Sequence, residues 1–194
     1  MKIILIVCFL LTNVFAKGIS SQSKFENYKD AEKSSTYLKF VVESTKIGLF
    51  SSDVDGYVLA YTYEADFDSQ NKILRNLKLK FRSSDMNTDH EDRDYKLHNL
   101  CMSSKKYPEV IITFTGPIFL KEKKQQKLNG KVLIRGKEKP FKAKVKSGLT
   151  DTRFELDINT IWSLKEMEIP DPSIAVAKLS DDIKIYTKFK YNLK

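Results

Sequence analysis

Alternation with a period of two residues constrains this chain more than any other feature. Asn76-Leu77-Lys78-Leu79-Lys80-Phe81-Arg82 alternates polar and apolar without a break, as do Phe141-Lys142-Ala143-Lys144-Val145-Lys146 and Phe154-Glu155-Leu156-Asp157-Ile158-Asn159. Ile183–Tyr191 keeps the pattern, with Thr187 as its one small exception. Successive side chains of a strand point to opposite faces, so each segment predicts a strand with one face buried and one wet. Further strands are expected at 37–44, 57–67, 109–115 and 127–135, with a weaker one near 118–123. Turn-rich links such as Asp53-Val54-Asp55-Gly56 and Arg135-Gly136-Lys137 join them, as in an antiparallel meander of eight or nine strands.

A sheet with one apolar face must cover it, by a second sheet or by closing on itself. The expected fold is all-β: an eight-stranded antiparallel barrel, with a short helix near 93–102 between strands. Eight strands leave an interior that side chains fill or that holds one small ligand. The residues expected to line it begin with Phe40, Val42, Tyr61, Tyr63, Leu77, Leu79 and Phe81. From the middle of the chain come Ile112, Phe114, Val132, Ile134 and Phe141, and from the end Phe154, Leu156, Ile158, Trp162, Ile185 and Phe189. Periodicity alone does not separate a packed interior from a cavity. A transmembrane barrel would alternate too, but its apolar face turns outward around a polar lumen, and this chain ends Tyr-Asn-Leu-Lys rather than on an aromatic residue.

The first sixteen residues read as a cleaved signal peptide. Met1-Lys2 is basic, Ile3–Leu11 is an apolar run too short to span a bilayer as a helix, and Val14-Phe15-Ala16 suits a cleavage site. Cys8 lies within the run behind a bulky Val7, which disfavours lipidation. The expected organisation is a signal peptide at 1–16, a polar arm at 17–35 and the barrel at 36–194, in a protein that is periplasmic or secreted. Cleavage leaves Cys101 as the only cysteine, so no internal disulfide forms, and Leu100 and Met102 beside it suggest a buried thiol. The composition is 41% hydrophobic, which is enough for core burial alone to hold the fold.

The net charge of +9 comes from lysines spread along alternating strands. That distribution describes a solvated basic surface, compatible with loose contact to an anionic membrane, and not a nucleic-acid site. Of the two histidines, His90 stands in a solvated acidic run without the spacing of a calcium or zinc site, and His98 is expected to bond locally. Cys101 and His98 lack an orienting third group, and no phosphate loop or carboxylate pair is present. Arg93-Asp94 reads as a structural pair or turn clamp. No catalytic residue, metal or cofactor is expected.

At this point the sequence resembles the YceI-like family of lipocalin-like periplasmic proteins that bind polyisoprenoid chains. Phe40-Val41-Val42-Glu43-Ser44-Thr45 followed by Asp55-Gly56 is similar to that family's first hairpin, and Phe67-Asp68 to the end of its third strand. The most specific block is Met86-Asn87-Thr88-Asp89 leading into Arg93-Asp94-Tyr95-Lys96-Leu97. Tyr107-Pro108, Ile112-Thr113-Phe114, Leu128–Gly136 with Lys139-Pro140, and Leu179–Ile183 continue the likeness in order. Asn159-Thr160-Ile161-Trp162-Ser163 departs from it, lacking the Arg and Phe-Gly that many members carry. The resemblance implies a bore that holds a polyisoprenoid, quinone or fatty-amide tail for transport, storage or scavenging, with Tyr61, Tyr63 or Trp162 offering a polar tip, and a possible homodimer. The competing expectation is a packed barrel that binds a protein partner through residues 84–107 and 163–181, the latter read as a surface loop.

Overall fold

The computed structural model describes residues 16–46, 50–122, 124–174 and 177–193, so the signal-peptide segment lies outside the described residues save for Ala16. The chain is mostly β. Its long strands are β1 (Lys17–Lys24), β2 (Tyr37–Lys46), β3 (Phe50–Val58), β4 (Ala60–Asp68) and β5 (Ile73–Arg82), then β7 (Glu109–Thr115), β9 (Gln126–Ile134), β10 (Lys137–Leu149), β11 (Arg153–Ser163) and β12 (Ala177–Asn192). Two-residue strands β6 (Met86–Asn87) and β8 (Ile118–Phe119) complete a twelve-stranded sheet. Helix α1 spans Tyr28–Lys33, and α2 spans Glu91–Lys96 before continuing as a wider π turn to Cys101.

The sheet order is β1-β4-β5-β7-β9-β10-β11-β12-β2-β3-β6, antiparallel throughout, with β8 beside β5. Among the described residues no ladder joins the end strands, so the sheet curls into a half-barrel rather than closing as the expected eight-stranded barrel. The sheet also contains strands beyond those expected. Residues 17–35, expected as an arm, form β1 paired with β4 along its whole length, and α1. The expected strand 57–67 is broken at Leu59, whose N–H turns to the Asp85 carbonyl and whose carbonyl accepts from Phe25.

Alternation puts the core where the sequence places it. In β9, Leu128, Val132 and Ile134 are buried, as are Phe141, Ala143 and Val145 in β10 and Phe154, Leu156 and Ile158 in β11. The β9–β10 hairpin turns on Arg135 (φ 51°) and Gly136 (φ 72°), the two positive values of a primed turn whose twist matches the strands. Asp53-Val54-Asp55-Gly56, by contrast, is not a turn: it lies inside β3, paired residue for residue with β2. Residues 163–181 are also more than a surface loop. Leu164, Met167 and Ile169 are buried in the core, and β12 begins at Ala177.

Candidate ligand pocket

A pocket of about 530 Å³ opens at one end of the half-barrel, within the range of about 300–1,000 Å³ typical of small-ligand sites. Alternate residues of β2 form one wall, with Phe40, Val42 and Ser44 running outward to Lys46. β3 adds Ser52 and Val54, the cross-strand partners of Ser44 and Val42. Leu179, Ile183 and Ile185 of β12 extend the wall. Met86, Leu97, Cys101 and Met102 face them from β6 and the helical segment, and Leu164 and Ile169 close a side. Beneath lies an apolar void of about 30 Å³, which shares Phe40, Met86, Met102, Ile134, Trp162 and Ile185 with the pocket and reaches Phe81 and Ile112.

The helical wall is held by side-chain bonds to the strand before it. Asp94 accepts from the Thr88 N–H (2.8 Å), the Thr88 hydroxyl (2.7 Å) and Asn87 Nδ2 (2.9 Å). Arg93 returns a bond to the Thr88 carbonyl at 2.7 Å, so Arg93-Asp94 is the turn clamp the sequence suggests. His98 Nε2 lies 2.7 Å from the Met86 carbonyl and, carrying its proton there, donates locally. At the other end of the segment, the Arg135 guanidinium donates to the carbonyls of Leu100 and Cys101 and to Ser103 Oγ. Burial pushes the Cys101 thiol up to about 11 against a smaller pull from Arg135, so it stays neutral as an apolar wall group. Glu168, just beyond the buried Met167, binds both Lys137 and Lys139, whose ammonium groups hold its carboxyl down at about 2.

The charged part of the lining is exposed. It consists of Lys46, Arg93 and Lys96, with His90 and the single carboxylate Asp53. Among the described residues no three His, Cys, Asp or Glu side chains come together as a metal site. No helix there is long and apolar enough to cross a membrane.

Of the residues expected to line a bore, Phe40, Val42, Ile134, Trp162 and Ile185 meet at the pocket, and Phe81 and Ile112 line the void. The others, Tyr61, Tyr63, Leu77, Leu79, Phe114, Val132, Phe141, Phe154, Leu156, Ile158 and Phe189, face inward and are buried but line neither. They pack on one another across the interior. Tyr63 stacks on Phe189 with centroids 4.8 Å apart and donates its hydroxyl to the Lys190 carbonyl, so it offers no free tip. Phe67 meets Phe154 at 5.9 Å, and Phe114 sets its edge to Phe141 at 5.5 Å. Tyr61 Oη and Trp162 Nε1 are enclosed without a partner. Of the wall residues missed by periodicity, Leu97, Met102, Leu164 and Ile169 come from helical or loop segments and Met86 from a two-residue strand, where a two-residue period carries no signal, while Val54, Leu179 and Ile183 stand on β3 and β12.

Comparison with known proteins agrees with this architecture. A YCEI protein of Campylobacter jejuni superposes with a TM-score of 0.66 at 22% identity, covering 77% of this chain and 94% of that one. BcnA of Burkholderia cenocepacia gives 0.64 at 11% identity, covering 79% and 96%. A polyisoprenoid binding domain from Saccharophagus degradans gives 0.54 at 11% identity, covering 81% and 93%. At these identities the likeness is one of fold. No curated protein matches the sequence. The sequence itself matches the YceI-like domain over residues 29–191, most of its length, and the chain belongs to that family.

Proposed function

We propose that the protein binds the long apolar chain of a polyisoprenoid, isoprenoid quinone or fatty amide and carries, stores or scavenges it outside the cytoplasm. The observation that carries this is the segregation within the pocket: Phe40, Met102, Ile134, Trp162 and Ile185 form an apolar wall shared with the void beneath, while the charged lining residues Lys46, Asp53, Arg93 and Lys96 are exposed. Such a wall holds a tail without polar contacts, because each buried methylene contributes about 0.8 kcal/mol. About twenty methylenes then supply roughly 16 kcal/mol gross, enough to offset an association cost near the middle of its 4–15 kcal/mol range and leave an affinity on the order of 10 μM. The polyisoprenoid binding domain of Saccharophagus degradans, which shares the fold, supports a polyisoprenoid as the ligand. The signal-like start supports export, with cleavage after Ala16.

Native mass spectrometry of the protein isolated from its own cell envelope, followed by organic extraction, tests this. An added mass that extracts as a single long-chain lipid is expected. A bare protein that stays bare when offered quinones and fatty amides would favour the packed, partner-binding alternative, for which the filled lower half speaks.

A further inference from the structure

One row of residues crosses the open end of the sheet. Ile174 bridges Ala177, Ala177 is the cross-strand partner of Lys46, and Lys46 is the partner of Phe50. Directly paired residues share a face, and Ile174, Ala177 and Lys46 all line the pocket. The row therefore borders the mouth on the pocket side, three strand spacings wide, about 14 Å. Its ends are apolar and bare: Phe50 is 77% exposed and Ile174 48% exposed. Single exposed apolar side chains are ordinary on any surface. Here two of them flank a lysine on one row, at the opening of an apolar pocket.

The charge around the opening points to the occupant. Lys46, Arg93 and Lys96 outnumber Asp53 among the pocket-lining residues, and the whole chain carries +9. Long basic side chains lay their stems on apolar surface and lift their heads to anions. Apolar side chains that insert beside basic ones is how peripheral proteins hold an anionic bilayer. We infer that the protein docks mouth-down on an anionic lipid bilayer, Phe50 and Ile174 entering the acyl boundary and Lys46 and Lys96 meeting the head groups. A docked mouth opens toward the membrane, so an apolar chain passes between bilayer and pocket without crossing water.

Sedimentation of the purified protein with vesicles tests this, comparing phosphatidylcholine alone with phosphatidylcholine mixed with phosphatidylglycerol. Binding is expected to the mixed vesicles only and to weaken as salt is raised. Phe50→Ser and Ile174→Ser each lower it about tenfold, and Lys46→Gln and Lys96→Gln about fivefold each. All four side chains are exposed, and circular dichroism confirms folding. Equal binding by the variants, equal binding to neutral vesicles, or no binding to either overturns the inference. A dimer in sedimentation velocity that Phe50→Ser dissolves also overturns it, by assigning the face to a second copy. Quinone uptake from cyclodextrin without vesicles reads the pocket separately: Phe50→Ser that keeps uptake while losing vesicle binding supports docking. Vesicle binding without any uptake sustains docking and removes the ligand function instead.

Discussion

The ring of Phe40 occupies the space that any side chain at Gly56 would need. A Cβ at position 56 would stand 2.2 Å from Phe40 Cζ and 2.8 Å from the Asn87 carbonyl oxygen. Phe40 and Gly56 are cross-strand partners in β2 and β3, and the ring forms part of both the pocket and the void below it. The glycine therefore serves the pocket wall, not a turn. Gly56→Ala is expected to cost about 1–3 kcal/mol, as overpacking does, and to weaken ligand binding by displacing the ring. Urea denaturation checks this against Gly148→Ala, where a Cβ meets nothing within 4 Å.

The helical wall depends on Asp94 in the same way. Replacing it with alanine leaves the Thr88 N–H and hydroxyl without their acceptor at a site where Thr88 is buried. A cost of about 1–3 kcal/mol is expected, together with faster amide exchange through residues 91–101. Hydrogen exchange followed by mass spectrometry resolves that segment. Unchanged exchange in Asp94→Ala would show that packing by Leu97 and Met102 suffices.

On the outer face, Asp55 ties α1 to the β2–β3 hairpin, accepting from Tyr28 Oη at 3.0 Å and pairing with Lys39 at 2.6 Å. Burial raises the Asp55 carboxyl, but the bonds from Lys39 and Tyr28 outweigh it and hold the group below its ordinary value. Burial likewise pulls Lys39 down, and its bonds to Asp55 and Tyr57 more than restore it. A lowered carboxylate contributes stability that is present above its unfolded value of about 4 and lost as pH falls through the folded value. A raised lysine contributes below about 10.4, and that part is lost as pH rises through its folded value. The attachment of α1 is thus strongest between these limits. Asp55→Asn is expected to lower stability by about 1 kcal/mol at neutral pH and to flatten its decline on the acid side, measurable by denaturation across pH.

Met102 lines both the pocket and the void beneath it. Met102→Ala joins the two, at a cost of about 2–5 kcal/mol in stability, and shifts ligand preference toward longer tails. Competition between short- and long-tailed quinones checks the shift; an unchanged preference would mean that the void collapses.

Much of this structure is legible from alternation, because a half-buried strand writes its inward face at every second position. All the expected lining residues do face inward, from Phe40 to Phe189. Alternation is blind along the strand axis, however. It cannot say that Tyr63 and Phe189 stack and fill one end while Val42 and Ile183, cross-strand partners on β2 and β12, line an open pocket at the other. It is equally blind to segments with another period. Leu164, Met167 and Ile169 read as loop beside Pro170 and Pro172, yet they are core, and Gly56 reads as turn although its neighbour's ring is what requires it. The block from Met86 to Leu97 was the exception, since its residue identities, not its period, mark the clamp that holds the wall.

A pocket that takes an apolar chain by area alone must report it at Trp162. It is the only tryptophan in the chain and lies in the wall shared by pocket and void. Titration with isoprenoid quinones of increasing tail length, followed by quenching of its fluorescence, measures binding at that wall. Saturable quenching is expected, with affinity rising by about fourfold for each added buried methylene until the pocket is full. Quenching that is absent, or that tracks the quinone ring regardless of tail, would contradict the account.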